Sequence, residues 1–181
     1  MIYFTLLAVF LQQLSSFTGY LVATPEGWRN SYDEKPYIVF SNPDLTSQGL
    51  YEKANRFIAY NYKHGEDVIK ANVSNEMIRF NSGHEFMVPN GFISLKCRVI
   101  FEIELLFKDG KIKFTVLDQK AWMEDNPFDP FYKGWATWGI FYKSGKVKHE
   151  KFKYLFEQEL KSVVDELNKF VLELEVEKED W

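Results

Sequence analysis

The chain has 181 residues, 46% of them hydrophobic and 27% charged, and this balance excludes an intrinsically disordered, a collagen-like or a multi-span membrane protein. The formal net charge is -4, with 22 basic and 26 acidic side chains interspersed along most segments, so the sequence predicts no nucleic-acid partner. The length fits one domain with short appendages, and the aromatic content of 18% is unusually high.

The first residues resemble an export signal. Residues 1–11 form an uncharged apolar run, and a stretch of small and polar residues follows it as far as Gly19. This order predicts a signal peptide over residues 1–18, cleaved after Ser16 or Thr18, although no Lys or Arg precedes the apolar run. The run is too short for a stable membrane span, which needs about 20 residues. We therefore expect an exported protein, periplasmic or in the cell envelope; the alternative is a buried first strand or helix.

After the signal peptide, the sequence predicts a lead-in, a single α+β domain and an acidic tail. Residues 19–36 are rich in turn formers and predict an extended lead-in with Trp28 as its anchor. The domain is expected over residues 37–176, beginning with a short strand at residues 37–40. Residues 177–181 form the tail.

A helix of about four turns is predicted from Thr46 or Ser47 to Gly65. Its apolar stripe recurs at helical spacing and consists of Leu50, Ala54, Phe57 and Ile58. Residues 67–75 and 76–80 then alternate like two strands, with a turn at Ser74-Asn75.

The clearest local pattern is a β-hairpin between residues 98 and 119. Its two strands flank Asp109-Gly110, a dipeptide suited to a type I′ turn. One face of the hairpin should be apolar, with the pairs Phe107–Ile112, Leu105–Phe114 and Ile103–Val116. The other face should be mixed, with the pairs Leu106–Lys113, Glu104–Thr115 and Glu102–Leu117. We therefore expect an antiparallel sheet with one dry face, which the helices cover.

The C-terminal third combines an irregular aromatic segment with a long helix. Residues 121–142 predict a loop with a strand from Ala136 to Tyr142, and residues 143–146 predict a turn. From about Glu150 a helix is expected, because apolar residues recur at spacings of three and four: Phe152, Phe156, Leu160, Val163, Leu167, Phe170 and Leu174.

Several local motifs together resemble one known family. They are GLYEKA at residues 49–54, DVIK at 67–70, MIRFN at 77–81, FKDGKIKF at 107–114, and the late turn that leads into a helix. This set resembles the DUF4468 family of domains of unknown function, described as having a TBP-like fold, whose members are mostly small exported or envelope proteins of Gram-negative bacteria. The resemblance covers about residues 25–174 and implies a curved antiparallel sheet, one helix after the first strand and another at the C terminus. It implies neither a catalytic residue nor DNA binding.

The sequence contains no motif of the common catalytic classes. It lacks a Gly-rich phosphate loop, a Gly-x-Ser-x-Gly elbow and a His-Glu-x-x-His run. The three histidines show no ligand spacing, and Cys97 lies in an apolar run that predicts a small buried hydrophobe. We therefore expect no catalytic residue, no metal and no cofactor. The alternative is an enzyme acting on small molecules or glycans, with a site near His84 and Glu85. The site would be completed by carboxylates of the aromatic segment, namely Glu124, Asp125 and Asp129.

The aromatic segment supplies the candidate contact residues. Trp135, Trp138, Phe131 and Tyr132 offer flat rings that suit a sugar or an apolar partner, and the alternative is that these rings pack over the sheet. The sequence thus favours a non-enzymatic binding or interaction module for a protein or glycan partner, with no particular oligomeric state implied. A third hypothesis is a structural component of an envelope assembly that docks through an uncovered sheet face or edge.

Overall fold

The computed structural model describes residues 19–90, 92–123, 132–133, 140–142 and 144–172. Its elements, in chain order, are β1 (Leu21–Thr24), β2 (Gly27–Asn30), β3 (Ile38–Ser41), α1 (Ser47–Asn61), α2 (Gly65–Val68), β4 (Ile69–Val73), β5 (Met77–Asn90), β6 (Ile93–Lys108), β7 (Lys111–Met123), β8 (Tyr132–Lys133) and α3 (Glu150–Leu172). The fold class is α+β, as predicted. The predicted signal peptide, residues 1–18, and the predicted tail, residues 177–181, lie outside the described residues.

The main sheet is open, curved and antiparallel, with the strand order β3-β7-β6-β5-β4. The short strand β8 pairs with the end of β7. The strands predicted around Ser74-Asn75 are β4 and β5, although β4 begins at Ile69 rather than Asp67 and β5 runs to Asn90 rather than Phe80. A separate hairpin, β1–β2, packs on the side of the sheet that carries the helices.

The register of the β6–β7 hairpin agrees with the prediction as far as a β-bulge. All the predicted pairs between residues 103 and 116 are present. The predicted pair of Glu102 with Leu117 is wrong, because Glu102 lies opposite Asp118 and Leu117 is the extra residue of the bulge. Beyond the bulge the alternation restarts, so that Gln119 faces the helices.

The turn at Asp109-Gly110 is not of type I′. Only Gly110 has a positive φ, 71°, whereas a type I′ turn needs a positive φ at both central residues. The turn is held by the loop between β3 and α1 as well as by strand pairing. Gly110 N–H donates to the Leu45 carbonyl at 2.8 Å, and Asp109 Oδ1 accepts from Ser47 N–H at 2.8 Å.

We expect Gly110→Ala to lower the free energy of unfolding by about 1–2 kcal/mol. Its positive φ disfavours a side chain, and an added Cβ would lie 3.2 Å from the Pro43 Cα. Gly49→Ala in α1 is the matched control, because its added Cβ meets no atom closer than 3.6 Å and alanine favours a helix by about 0.5–1 kcal/mol. Urea unfolding of both variants makes the comparison, and equal effects would contradict this description of the turn.

The first half of α1 follows the predicted pattern. Thr46 caps the helix, with its Oγ1 accepting a hydrogen bond from Gly49 N–H at 3.2 Å. The predicted stripe is buried and consists of Leu50, Ala54, Phe57 and Ile58. The helix is thus amphipathic and packs its apolar side on the sheet.

The end of α1 differs from the prediction. The helix stops at Asn61, where Tyr62 adopts an extended conformation, and Gly65 begins the short helix α2 instead of ending α1. A Cβ on Gly65 would lie 3.2 Å from the Ala59 Cα. Gly65 therefore allows the chain to pass close to α1 after the helix has ended.

The helices α1 and α3 cover the apolar face of the sheet, as predicted, and the opposite face is mixed. The centre of the core holds fully buried rings: Phe40, Phe57, Phe80, Phe101, Phe114 and Phe156. Burial of each such ring contributes about 1.5–3 kcal/mol. The opposite face carries cross-strand ion pairs, such as Arg79 with Glu104 at 2.8 Å.

The segment expected as an extended lead-in contains the β1–β2 hairpin. Leu21, Ala23 and Trp28 point into the same hydrophobic core as the sheet and the helices. The Trp28 ring stacks on Phe156 with centroids 5.1 Å apart and meets Phe101 edge to face. Trp28 is therefore the anchor that the sequence predicted.

The last helix agrees with the prediction in its start and its apolar stripe. Buried residues of α3 are Phe152, Phe156, Leu160, Val163, Val164, Leu167 and Val171, and Phe170 is half-buried. The turn before it is present, with Gly145 N–H donating to the Tyr142 carbonyl at 2.9 Å. Most of the strand predicted at residues 136–142, and Leu174, lie outside the described residues.

Candidate binding site

A crevice of about 300 Å³ separates the β1–β2 hairpin from the middle of β7. Its walls come from the hairpin and the following loop on one side, and from residues 115–119 of β7 on the other. Strand β3 pairs with β7 as far as Phe114, and β8 pairs with it from Lys120. The crevice therefore lies where, among the described residues, β7 has no strand on its outer edge and carries the bulge residue Leu117.

The deep wall of the crevice is held by a buried hydrogen bond. Trp28 Nε1–H donates to Gln119 Oε1 at 2.6 Å, and both side chains are buried. A second bond ties the hairpin to α3, because Ala23 N–H donates to Glu157 Oε1 at 2.7 Å. Lys153 also donates to that carboxylate, at 2.6 Å. The hairpin is thus fixed to both the sheet and the helix, which keeps the crevice open.

The crevice offers hydrogen-bonding groups as well as apolar surface. The residues that line it include Glu26 and Asp118, which carry carboxylates, and Arg29, whose guanidinium donates one bond to the Trp28 carbonyl at 2.9 Å. Pro25, Pro36, Val116 and Leu117 add apolar surface. This combination suits binding of a small ligand that has several polar groups.

Most of the predicted contact residues lie outside the described part of the chain. These are Phe131, Trp135 and Trp138. The backbone of Tyr132 lies in β8 opposite Ala121, two residues along β7 from Gln119. Strand β8 therefore lies beside the part of β7 that directly follows the crevice-lining residues 115–119.

The structure does not bring His84 and Glu85 together as an acid–base pair. They are neighbours on β5, and successive side chains of a strand point to opposite faces of the sheet. Glu85 binds Lys96 at 2.8 Å and Arg98 at 2.6 Å on the outer face, and these cations lower the pKa of its carboxyl. His84 faces α3. The remaining members of that hypothesis, Glu124, Asp125 and Asp129, lie outside the described residues.

His84 belongs to a polar network between β5 and the helices. Its Nδ1 lies 3.2 Å from Glu159 Oε2, and its Nε2 lies 2.7 Å from Ser82 Oγ. Ser82 Oγ in turn lies 2.6 Å from the Tyr62 hydroxyl. Burial lowers the pKa of His84, with Glu159 and then Glu166 opposing that shift, and burial raises the pKa of Tyr62 to about 12. The network is therefore neutral at His84 and Tyr62 near pH 7.

The network has the order of a Ser–His–Glu relay but no access for a substrate. Ser82 is fully buried, and its hydroxyl is already engaged by Tyr62 on one side and His84 on the other. A nucleophile must reach the reacting carbon directly. The network therefore joins β5 to α3 and to Tyr62, the residue that directly follows α1.

Sequence reasoning missed Ser82 and its partners, although one signal was available. The inward positions of β5 alternate as Ile78, Phe80, Ser82, His84 and Phe86, so two polar residues occupy core positions of an apolar pattern. A polar side chain in the core needs a partner. That rule predicts a buried hydrogen bond at this place but not which helix supplies it.

Cys97 is a small buried hydrophobe, as predicted. Its side chain is almost fully buried, and burial raises the pKa of its thiol to about 12. The thiolate needed for nucleophilic chemistry is therefore absent at neutral pH.

The described residues hold no cluster of His, Cys, Asp or Glu that suits a metal ion. Among the helices in the described ranges, none has the length and apolar character that crossing a membrane requires.

No family model matches the sequence, and no curated protein matches it. Among solved structures, a DUF4468 family protein from Bacteroides ovatus ATCC 8483 is similar, with a TM-score of 0.53 over 80% of this chain and 91% of that chain. The sequence identity is 11%, so the likeness shows a shared fold. This finding confirms the resemblance that the sequence motifs indicated. The name of that protein states no activity, so the crevice remains the basis for a functional proposal.

Proposed function

We propose that this protein is an exported, non-enzymatic binding module that holds a small polar ligand in the crevice between the β1–β2 hairpin and β7. The observation that carries the proposal is the crevice itself, about 300 Å³ in volume and rigidly walled by the Trp28–Gln119 hydrogen bond. This volume is at the small end of known ligand sites, which run from about 300 to 1,000 Å³. A ligand the size of one sugar residue suits it.

The lining favours a ligand with several hydroxyl groups. Among the residues that line the crevice, Glu26 and Asp118 carry hydrogen-bond acceptors and Arg29 carries donors. A sugar hydroxyl both donates and accepts, so a glycan residue can satisfy such a mixed set. Trp135 and Trp138 stay predicted contacts of a sugar or an apolar partner, and they lie outside the described residues.

Export forms the second part of the proposal. The signal-peptide pattern supports it, and every described element lies after the predicted cleavage positions. Cleavage after Ser16 or Thr18 would therefore leave the described fold intact. A periplasmic or envelope location agrees with a glycan as the ligand.

We expect Leu117→Trp to weaken binding at least about tenfold, a loss of about 1.4 kcal/mol, because the larger ring occupies the crevice. Leu117 suits this test because it is the bulge residue and is 43% exposed, so the core is not disturbed. Val73→Trp is the matched control, an exchange at an aliphatic residue that is 44% exposed on β4.

The measurement is a titration with soluble envelope oligosaccharides, followed through the indole N–H signal of Trp28 in two-dimensional NMR spectra. Trp28 forms a wall of the crevice, so its signal reports on occupation. The wild type and Val73→Trp should show the same saturable shift. A shift of equal affinity in Leu117→Trp would place the ligand elsewhere and overturn the assignment of the crevice.

A further inference from the structure

Strand β5 has a long edge that no strand among the described residues covers. The strand has 14 residues, but its outer neighbour β4 pairs only with Met77–Phe80. From Gly83 to Asn90, β5 pairs with β6 alone. Such an edge exposes a row of backbone donors and acceptors.

The hydrogen-bond pattern identifies which residues of β5 face outwards. Phe107 N–H donates to the Glu76 carbonyl at 2.9 Å, so this pair is hydrogen-bonded between β5 and β6. Bonded and non-bonded pairs alternate along an antiparallel ladder, and the β5–β6 register is uninterrupted. The backbone N–H and C=O groups of Gly83, Glu85 and Met87 therefore point away from β6. Pro89 has the same orientation, so its missing N–H removes no bond of the sheet.

The side chains along this edge do not protect it strongly. Natural sheets shield an edge with charges, bulges or a proline. Here Pro89 shields only the tip, and the Glu85 charge is engaged by Lys96 and Arg98 of the neighbouring strand. Met87 adds an apolar side chain that is 53% exposed.

We propose that this edge pairs antiparallel with the same edge of a second copy of the chain, so that two sheets join into one. A twofold axis at Glu85 places Gly83 opposite Met87 of the second copy, and Met87 opposite its Gly83. All three positions present backbone groups outwards, so each of these pairs forms ladder hydrogen bonds.

The side chains are self-complementary in this arrangement. Gly83 has no side chain, and an added Cβ would meet only Ile100 Cγ1 at 4.0 Å, so open space lies above it. The exposed Met87 side chain of the second copy covers that space. The two Glu85 carboxylates approach each other, and each is bound by Lys96 and Arg98 of its own copy, which reduces the repulsion between them.

Sedimentation velocity over a range of concentrations tests the proposal with the mature chain. The wild type should show a monomer–dimer equilibrium. Met87→Pro should weaken dimerisation at least about tenfold, since it removes an outward N–H without removing any bond between β5 and β6. Pro89, at an equivalent position of the same strand, shows that β5 tolerates proline there.

Met87→Leu is the matched control, because it keeps both the backbone N–H and an apolar side chain of similar size. We expect its dimerisation constant to remain within about threefold of the wild type. If Met87→Pro does not fold, Glu85→Lys is tested instead, because repulsion between the lysines introduced at the twofold axis should also leave the protein monomeric. A monomeric wild type at all concentrations, or a Met87→Leu variant as weak as Met87→Pro, would overturn the strand-pairing proposal.

Discussion

Replacing Trp28 with alanine should lower the free energy of unfolding by about 3–5 kcal/mol, a large effect for a residue outside the main sheet. The indole is 4% exposed, stacks on Phe156 and meets Phe101 edge to face. The change leaves a cavity beneath the hairpin and removes the partner of Gln119. Denaturant unfolding of the full chain measures the loss, and a change below about 1 kcal/mol would contradict the role of Trp28 as anchor.

The hydrogen bond between Trp28 and Gln119 is isolated by a double-mutant cycle. Trp28→Phe keeps a ring but leaves Gln119 Oε1 buried without its donor, which should cost about 1–3 kcal/mol. Gln119→Met removes the acceptor instead. Combining the two changes should cost clearly less than their sum, because neither polar group is then left unpaired. Strict additivity would show that the bond does not hold the hairpin to β7.

Replacing His84 with glutamine should cost about 1–3 kcal/mol at pH 7, because Ser82 and Glu159 lose a well-placed partner. The cost should shrink at acid pH. Burial lowers the pKa of His84 below its usual value of 6.5, so below that pH the unfolded chain binds a proton that the folded chain does not. The wild type is therefore destabilised by this histidine as the pH falls from about 6.5 towards the lower folded-state pKa.

Urea unfolding at several values between pH 8 and pH 5 measures this effect. The difference in free energy of unfolding between wild type and His84→Gln should decrease steadily below about pH 6.5. His149→Gln, at an exposed histidine before α3, is the matched control for the exchange of a histidine for glutamine. A constant difference between wild type and His84→Gln over this range would contradict the buried, neutral histidine.

Local periodicity was enough to predict the sheet and both long helices. The β6–β7 register was correct from the turn to the Ile103–Val116 pair, because a two-residue turn and alternating apolar side chains specify it together. It failed at Leu117 because one inserted residue in a strand leaves no mark in the hydrophobic pattern. The β1–β2 hairpin was missed because its strands have only four residues each.

The candidate site was less predictable than the fold. The crevice joins Trp28 to Gln119, which are 91 positions apart in the chain, and no local pattern relates two such residues. Its shape also depends on the bulge at Leu117. The sequence did predict the two walls of the crevice separately, since Trp28 was predicted as an anchor and β7 as a strand with an apolar face. The contact between Trp28 and β7 depends on tertiary packing, which places the β1–β2 hairpin against the sheet.

The most direct test of the proposed function is the native mass of the protein, purified gently from the envelope fraction of its own cells. We expect a chain that begins at residue 17 or 19 and carries the reproducible excess mass of a small ligand. The Leu117→Trp variant, purified in the same way, should lack the excess mass. The Val73→Trp variant should keep it. A chain that retains Met1 would contradict export, and an equal excess mass in Leu117→Trp would contradict binding in the crevice.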